Sequence, residues 1–213
     1  MKTFHCRGKE TRIRLIQIYD IVPISHTSLL KGQIKRSAAE DTITKEYYRF
    51  SYKKKDTTET PKIFIVGMHA ARHFLELLNH EPISLFNPLK SNQNDSRCQE
   101  DKHVETQKEK WNPLAWELYT VINIILMAWD KNITILSEIL TTISNNKSTE
   151  PSLSNIKSVN TIISKDYKKR TIDQILNEFR RENDIKDLKF PLITKKLSDA
   201  KKENHITSKT YER

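Results

Sequence analysis

The sequence predicts an α+β protein, because strand-type patterns occupy much of residues 1–67 and helix-type patterns dominate the chain after them. Residues 46–54 (EYYRFSYKK) alternate, which puts every second side chain on the same face of a strand. Residues 68–79 and 113–143 repeat apolar side chains at the spacing of an amphipathic helix. We therefore expect a small N-terminal antiparallel sheet with one helix, followed by a long central helix or a helix pair.

Three segments of the N-terminal region are predicted strands. Residues 12–24 are rich in β-branched side chains and end near Pro23, residues 46–54 alternate, and residues 62–66 form a short apolar run. Residues 25–44 give no clear pattern. The links between the three segments favour antiparallel pairing.

The helix predicted over residues 68–79 would pack on this sheet. Tyr48, Phe50 and Tyr52 share one face of the middle strand, and we favour a buried role for them beneath that helix. The alternative is an aromatic platform that stacks nucleic-acid bases. The apolar arc of the helix comprises Ala70, Ala71, Phe74, Leu75, Leu77 and Leu78.

The central helix opens with a capping signal. Asn112 is a good N-cap and Pro113 suits the first helical position. The helix either runs on or breaks into two near residues 130–132. Its apolar spacing could form the seam of a homodimer through the 113–143 helix, or it could pack against its own domain.

Two polar stretches divide the chain. Residues 89–110 hold almost no apolar side chain and predict a flexible loop, and residues 145–154 (NNKSTEPSLS) predict a linker. The predicted organisation is therefore an α+β N-terminal domain over residues 1–144, the linker, and a C-terminal module over residues 155–213.

The charge and composition favour a polyanionic partner. The formal net charge is +10, with two basic ends around a mildly acidic middle, which suits nucleic acid better than a membrane. The alternative is an ordinary solvated, lysine-rich surface. Only three glycines are present, which argues against a phosphate-cradling nucleotide loop. The longest apolar run, residues 119–129, is too short to span a bilayer.

Cysteine usage and the N-terminal residues predict a cytoplasmic protein. Cys6 and Cys98 are the only cysteines and lack metal-ligand spacing, which fits a reducing compartment. The charged N-terminus has no apolar signal-peptide core. We expect no cofactor.

The C-terminal residues carry the pattern that indicates a partner. A helix capped by Thr171 is followed by a connector, a basic helix over residues 191–203 and a terminal strand over residues 206–213. Wheel geometry gives the basic helix a narrow apolar seam and a cationic opposite side. The seam comprises Ile193, Leu197 and Ala200, and the opposite side comprises Lys195, Ser198 and Lys202.

This order of elements over residues 153–213 resembles the winged-helix DNA-binding superfamily, with Asn204 where a glycine is usual before the wing. The resemblance implies a DNA-binding protein, such as a transcriptional regulator or a replication or partition accessory factor of a bacterial or mobile-element type. Double-stranded DNA would be the partner. Lys195, Ser198 and Lys202 would face bases or phosphates, and the DNA backbone would contact Lys189, Thr194, Lys201 and Lys209.

Two other functions compete with this one. His69, His73 and Glu76 lie on one stripe of the 68–79 helix, where histidines four residues apart could share a metal in a nuclease-like enzyme. That stripe could equally be the solvent side of the helix. The basic tail could instead dock an acidic protein, as in an interaction adaptor. No nucleophile–base order or carboxylate pair indicates metal-free catalysis, so we favour a non-enzymatic role.

Overall fold

The computed structural model describes residues 4–90, 111–129 and 133–207. It confirms the α+β class, with helices accompanying a four-stranded and a two-stranded sheet. The chain forms two compact units. Unit 1 comprises Met1–Asn87 and Ile122–Ser144, and unit 2 comprises Pro88–Val121 and Asn145–Arg213.

Unit 1 is built on a mixed sheet. Its strands follow the order β5-β4-β1-β6, in which β1, β4 and β5 pair antiparallel as predicted and β6 pairs parallel to β1. Strand β6 has only two residues, so the sequence shows no alternating pattern that would predict it. The elements of this region are α1 (Lys9–Ile18), β1 (Tyr19–Ser28), β2 (Lys35–Arg36), β3 (Thr42–Ile43), β4 (Glu46–Lys54), β5 (Lys62–Gly67), α2 (Met68–Leu77) and β6 (Leu85–Phe86).

The strand predicted over residues 12–24 is wrong in its first half, which is helix α1. Arg12 is buried, and Leu15 and Ile16 pack against the core of unit 1. These three positions are separated by three and four residues, which is the spacing of one helical face. The β-branched residues in this segment suggested a strand, but Ile13 and Ile18 are exposed.

The predicted strand end at Pro23 is also wrong, because β1 continues to Ser28. The register of β1 against β4 shifts between Pro23 and Ser25. A bulge of this kind tolerates proline inside a strand, since the ladder hydrogen bond that proline cannot donate is already interrupted there.

The aromatic face of β4 forms the core beneath α2, as we favoured. Tyr48 and Phe50 are buried, whereas Tyr52 is only partly buried at the edge of the cluster. The Phe50 ring lies 5.4 Å from that of Phe74 on α2, centroid to centroid. Burial therefore excludes a base-stacking role for Tyr48 and Phe50.

The opposite face of β4 is buried as well. Tyr47 is fully buried, and the Arg49 guanidinium carbon lies 5.7 Å from the centre of its ring. The Nη2 of Arg49 donates to the Leu126 carbonyl at 3.5 Å. Helical residues of unit 1 therefore cover this face, and the sheet carries apolar packing on both sides.

The central helical region is a helix pair, α3 (Pro113–Ala128) and α4 (Thr134–Asn145). The predicted Asn112 cap is confirmed, since its Oδ1 accepts from the backbone N–H groups of Leu114 and Ala115. The apolar positions of the proposed dimer seam, apart from the half-buried Ala128, are buried within one chain, which argues against their use in a dimer: Leu114, Leu118, Val121, Ile125, Leu136, Ile139 and Ile143.

Unit 2 contains α5 (Leu153–Ile163), α6 (Ile172–Arg180) and α7 (Pro191–Asp199). Thr171 caps α6 as predicted and forms a capping box with Gln174. Ser152 caps α5 at the end of the predicted linker. The predicted flexible loop over residues 89–110 lies outside the described residues except at its start, where Leu89 bridges to Ile185.

An aromatic cluster marks the start of α3. The Trp111 and Trp116 rings meet edge-on with centroids 5.4 Å apart, and Tyr119 lies 5.0 Å from Trp111. The Lys147 ammonium lies 6.0 Å from the centre of the Trp111 ring. All four side chains belong to unit 2.

Candidate nucleic-acid interface

Helix α7 is buried along one side and open on the other, as the sequence predicts. Ile193 and Leu197 are fully buried. Lys195 and Ser198 are exposed on the other side. The helix therefore presents a polar, cationic side to solvent while its apolar seam is held in unit 2.

The basic helix is shorter than predicted, ending at Asp199 rather than near Glu203. Lys201 takes a left-handed backbone conformation with φ of 51°. The Lys202 N–H donates to the Leu197 carbonyl and the Lys201 N–H to the Ser198 carbonyl, which together form a Schellman motif. Lys201 and Lys202 are exposed, but they follow α7 rather than lie on it.

The Thr194 hydroxyl makes its hydrogen bonds within unit 2. It donates to the Phe190 carbonyl at 2.9 Å and lies 3.4 Å from the amide nitrogen of Asn204. The side-chain oxygen of Asn204 accepts from the backbone N–H groups of Ile206 and Thr207. Both side chains therefore hold the segment after α7 in place.

The described part of the predicted wing strand, residues 206–207, is a bend. Lys209 and the rest of that strand lie outside the described residues. The segment is instead fixed to α5 and α6. Asn160 donates to the Glu203 carbonyl at 2.7 Å, and the Ile172 N–H donates to the Ile206 carbonyl at 3.0 Å.

A buried carboxyl group, that of Glu117, caps the N-terminus of α7. The two Glu117 oxygens accept from the backbone N–H groups of Leu192 at 3.2 Å and Ile193 at 2.9 Å. Burial raises the pKa of the Glu117 carboxyl, and these two hydrogen bonds partly oppose that rise. The Glu117 oxygens therefore already accept from N–H groups that a phosphate would otherwise bind at this helix end.

The lysines around α7 divide into paired and unpaired groups. Lys189 pairs with Asp187 at 3.0 Å, and Lys196 pairs with Glu150 at 2.7 Å. Within residues 4–90, 111–129 and 133–207, no carboxylate pairs with the remaining cations of this surface, which are Lys195, Lys201 and Lys202.

Sequence reasoning missed Glu117 and Asn160. Each makes its contacts at a separation of more than 40 residues, so no local spacing signals the role. The one available hint is that Phe190 is a poor N-cap, which implies that another group must satisfy the first N–H groups of α7.

The histidine stripe of α2 forms a structural contact rather than a ligand set. The Nε of buried Arg12 donates to the Nδ1 of His73 at 2.8 Å. In the described part of the chain, no group of three or more His, Cys, Asp or Glu side chains is placed to hold a metal ion. His69 and Glu76 are exposed on the same helix, as the alternative of a solvent-facing stripe requires.

The Arg12–His73 contact predicts a pH-dependent stability. Burial and the neighbouring Arg12 lower the pKa of His73, so the unfolded state binds its proton more tightly than the folded state does. The stability that His73 contributes as a neutral side chain is fully present above the unfolded pKa of about 6.5. It is lost as the pH falls through the lowered folded pKa. Urea unfolding between roughly pH 7 and 5 should therefore show falling stability.

His73→Asn should flatten this pH dependence, because the amide oxygen can accept from Arg12 without titrating. His69→Asn, an exposed change on the same helix, is the matched control and should leave the slope as it is. An unchanged slope in the His73 variant would refute the assignment.

Cys6, the cysteine within the described residues, is unsuited to thiol chemistry, and no membrane segment is found among the described helices. Cys6 is buried, and burial raises the pKa of its thiol to about 12, which keeps it protonated near neutral pH. None of the helices in the described ranges combines the length and apolarity that crossing a bilayer requires.

The family assignment covers nearly the whole chain. The chain belongs to the family described as uncharacterised conserved protein UCP028583, whose model matches residues 4–204. That description names no activity, substrate or partner. No curated protein and no solved structure matches the chain.

Proposed function

We propose that the protein binds double-stranded DNA through the exposed side of α7 and the lysines that follow it. The role would be that of a transcriptional regulator or of a replication or partition accessory factor. The observation that supports this most is the set of exposed cations on and after α7. Lys195, Lys201 and Lys202 have no carboxylate partner among the described residues, so their charge is available to phosphates.

The closed N-terminus of α7 restricts how DNA could dock. Many recognition helices contact base edges with their N-terminal residues. Here the Glu117 oxygens already accept from the backbone N–H groups of Leu192 and Ile193, so these groups are not available to a phosphate. The proposed contact region is therefore the side of α7 that carries Lys195 and Ser198, together with Lys202 just after the helix.

The connector between α6 and α7 also differs from a standard helix-turn-helix. It covers residues 181–190, whereas the usual turn is about three to four residues. This length favours a backbone-contacting mode over close base readout by α7. We therefore expect strong salt dependence and modest sequence preference.

Replacing Lys195 and Lys202 by alanine together should weaken binding to duplex DNA roughly tenfold to thirtyfold, as expected for losing two phosphate contacts. The slope of log affinity against log salt should become shallower by about two. Fluorescence anisotropy with a labelled duplex at several salt concentrations measures both quantities.

The matched control is Lys54→Ala with Lys55→Ala, which removes the same charge from exposed positions of unit 1. It should change affinity less than the α7 pair does. Equal losses in the two variants would mean that net charge alone drives binding, and wild-type affinity in the α7 variant would refute the assigned surface.

The adaptor alternative uses the same cations and is separated by competition. If an acidic polypeptide displaces duplex DNA from wild-type protein at matched charge concentration, the partner is an acidic protein and the DNA proposal fails. The metal-dependent nuclease has no comparable support, because one His73 nitrogen already accepts from Arg12.

A further inference from the structure

The loop between α5 and α6, residues 164–170, carries the most exposed large apolar side chain in the described part of the chain. Tyr167 is 81% exposed, although it lies in a loop flanked by two well-capped helices. The neighbouring Lys165, Lys168 and Lys169 are exposed too. We call residues 164–170 the Tyr167 loop.

A buried carboxylate holds the Tyr167 loop rigid. The Asp166 side chain is fully buried and accepts from the backbone N–H groups of Lys168 and Arg170, both at 3.1 Å. It also accepts from Nε and Nη2 of Arg170 at 3.0 and 2.9 Å, and Arg170 reaches Glu178 on α6. Tyr167 therefore projects from a fixed backbone, so ordering it on a ligand loses little entropy.

Cations surround the exposed ring. The Lys168 ammonium lies 5.6 Å from the centre of the Tyr167 ring, and the Arg170 guanidinium carbon lies 5.8 Å from it. Among the residues that the structure describes, no carboxylate forms an ion pair with Lys165, Lys168 or Lys169. An aromatic ring among unneutralised lysines matches a ligand that alternates flat rings with negative charges.

The Tyr167 loop lies beside the segment that follows α7. Ile172, just after the loop, donates its N–H to the Ile206 carbonyl at 3.0 Å. Asn160, one turn before the loop, bonds to both Glu203 and His205. The lysines of the loop and the segment after Lys202 therefore belong to one end of unit 2.

From this geometry we infer that the Tyr167 loop binds unpaired nucleotides of a single-stranded nucleic acid, with Tyr167 stacking on a base and the loop lysines contacting the flanking phosphates. A duplex cannot satisfy this site, because its base faces are stacked inside the helix. The inference goes beyond duplex binding by α7 and does not depend on it.

The test compares two single strands of about 20 nucleotides, an oligothymidylate and a strand of abasic sites with the same phosphates. Full-length wild-type protein should bind the oligothymidylate more tightly in an anisotropy titration. Tyr167→Ala should weaken oligothymidylate binding roughly 5- to 150-fold and leave abasic-strand binding unchanged. Tyr167→Phe, which keeps the ring, should bind as wild type does.

Three results would overturn the inference. Wild-type protein could bind both strands equally, Tyr167→Ala could bind oligothymidylate as wild type does, or polyglutamate could require Tyr167 while oligothymidylate does not. Duplex binding is measured on the same variants. Loss of duplex binding only in the Lys195 and Lys202 variant, with a Tyr167 effect only on single strands, would support the two sites separately.

Discussion

Replacing Asp166 by alanine is expected to lower the free energy of unfolding by about 3–5 kcal/mol, as measured by urea denaturation. The substitution removes the acceptor of two backbone N–H groups and two guanidinium nitrogens at a fully buried position. The hydrogen bond to Asp166 also raises the pKa of Arg170 above its ordinary value, so the guanidinium stays charged. The variant therefore leaves a poorly compensated cation in a mostly buried place.

Two further variants separate this cause from a general loss of packing. Asp166→Ala combined with Arg170→Met should be less destabilised than Asp166→Ala alone, because the cation is gone as well. Glu178→Ala should lose at most about 1 kcal/mol, since Glu178 is 34% exposed and its ion pair is partly screened by solvent. A loss below about 1 kcal/mol in Asp166→Ala would contradict the role given to this carboxylate.

Phe50→Ala should be about as destabilising, with an expected loss of about 3–5 kcal/mol. Phe50 is fully buried at the centre of the aromatic core, and its ring lies 5.3 Å from that of Phe64 and 6.0 Å from that of Tyr48. Removing the ring takes away these contacts and leaves a cavity that the sheet and α2 cannot close.

Phe50→Leu is the matched control, because it keeps most of the apolar volume and should lose less than half as much stability, about 1–1.5 kcal/mol. The Phe50 variants also test the discarded base-stacking role of this face. A variant that stays as stable as wild type but loses nucleic-acid binding would contradict the buried position of the ring.

Local signals in the sequence predicted local structure well. Asn112 and Thr171 were found as caps because a cap depends only on residues two or three positions away. The buried arc of α2 was found because one helical face meets one core. The strand predicted over residues 12–24 was wrong because the many β-branched residues there favoured a strand. The helical face of α1 is marked by only three positions, Arg12, Leu15 and Ile16.

The candidate site was only partly predictable. The exposed side of α7 follows from periodicity, and Lys195 and Ser198 lie where expected. The position where α7 ends does not follow from periodicity. The helix stops because Lys201 adopts a left-handed conformation, which glycine or asparagine would normally signal in a sequence. Glu117 at the start of α7 depends on tertiary packing, which no single-sequence pattern encodes.

The tryptophans give each compact unit its own optical reporter. Trp129 belongs to unit 1, whereas Trp111 and Trp116 belong to unit 2. Replacing Trp129 by phenylalanine leaves tryptophan emission that comes from unit 2 alone. The edge-on pair of indoles 5.4 Å apart is close enough for their electronic transitions to couple, which marks the same unit in near-ultraviolet circular dichroism. Thermal unfolding of unit 2 can thus be followed spectroscopically without an added label.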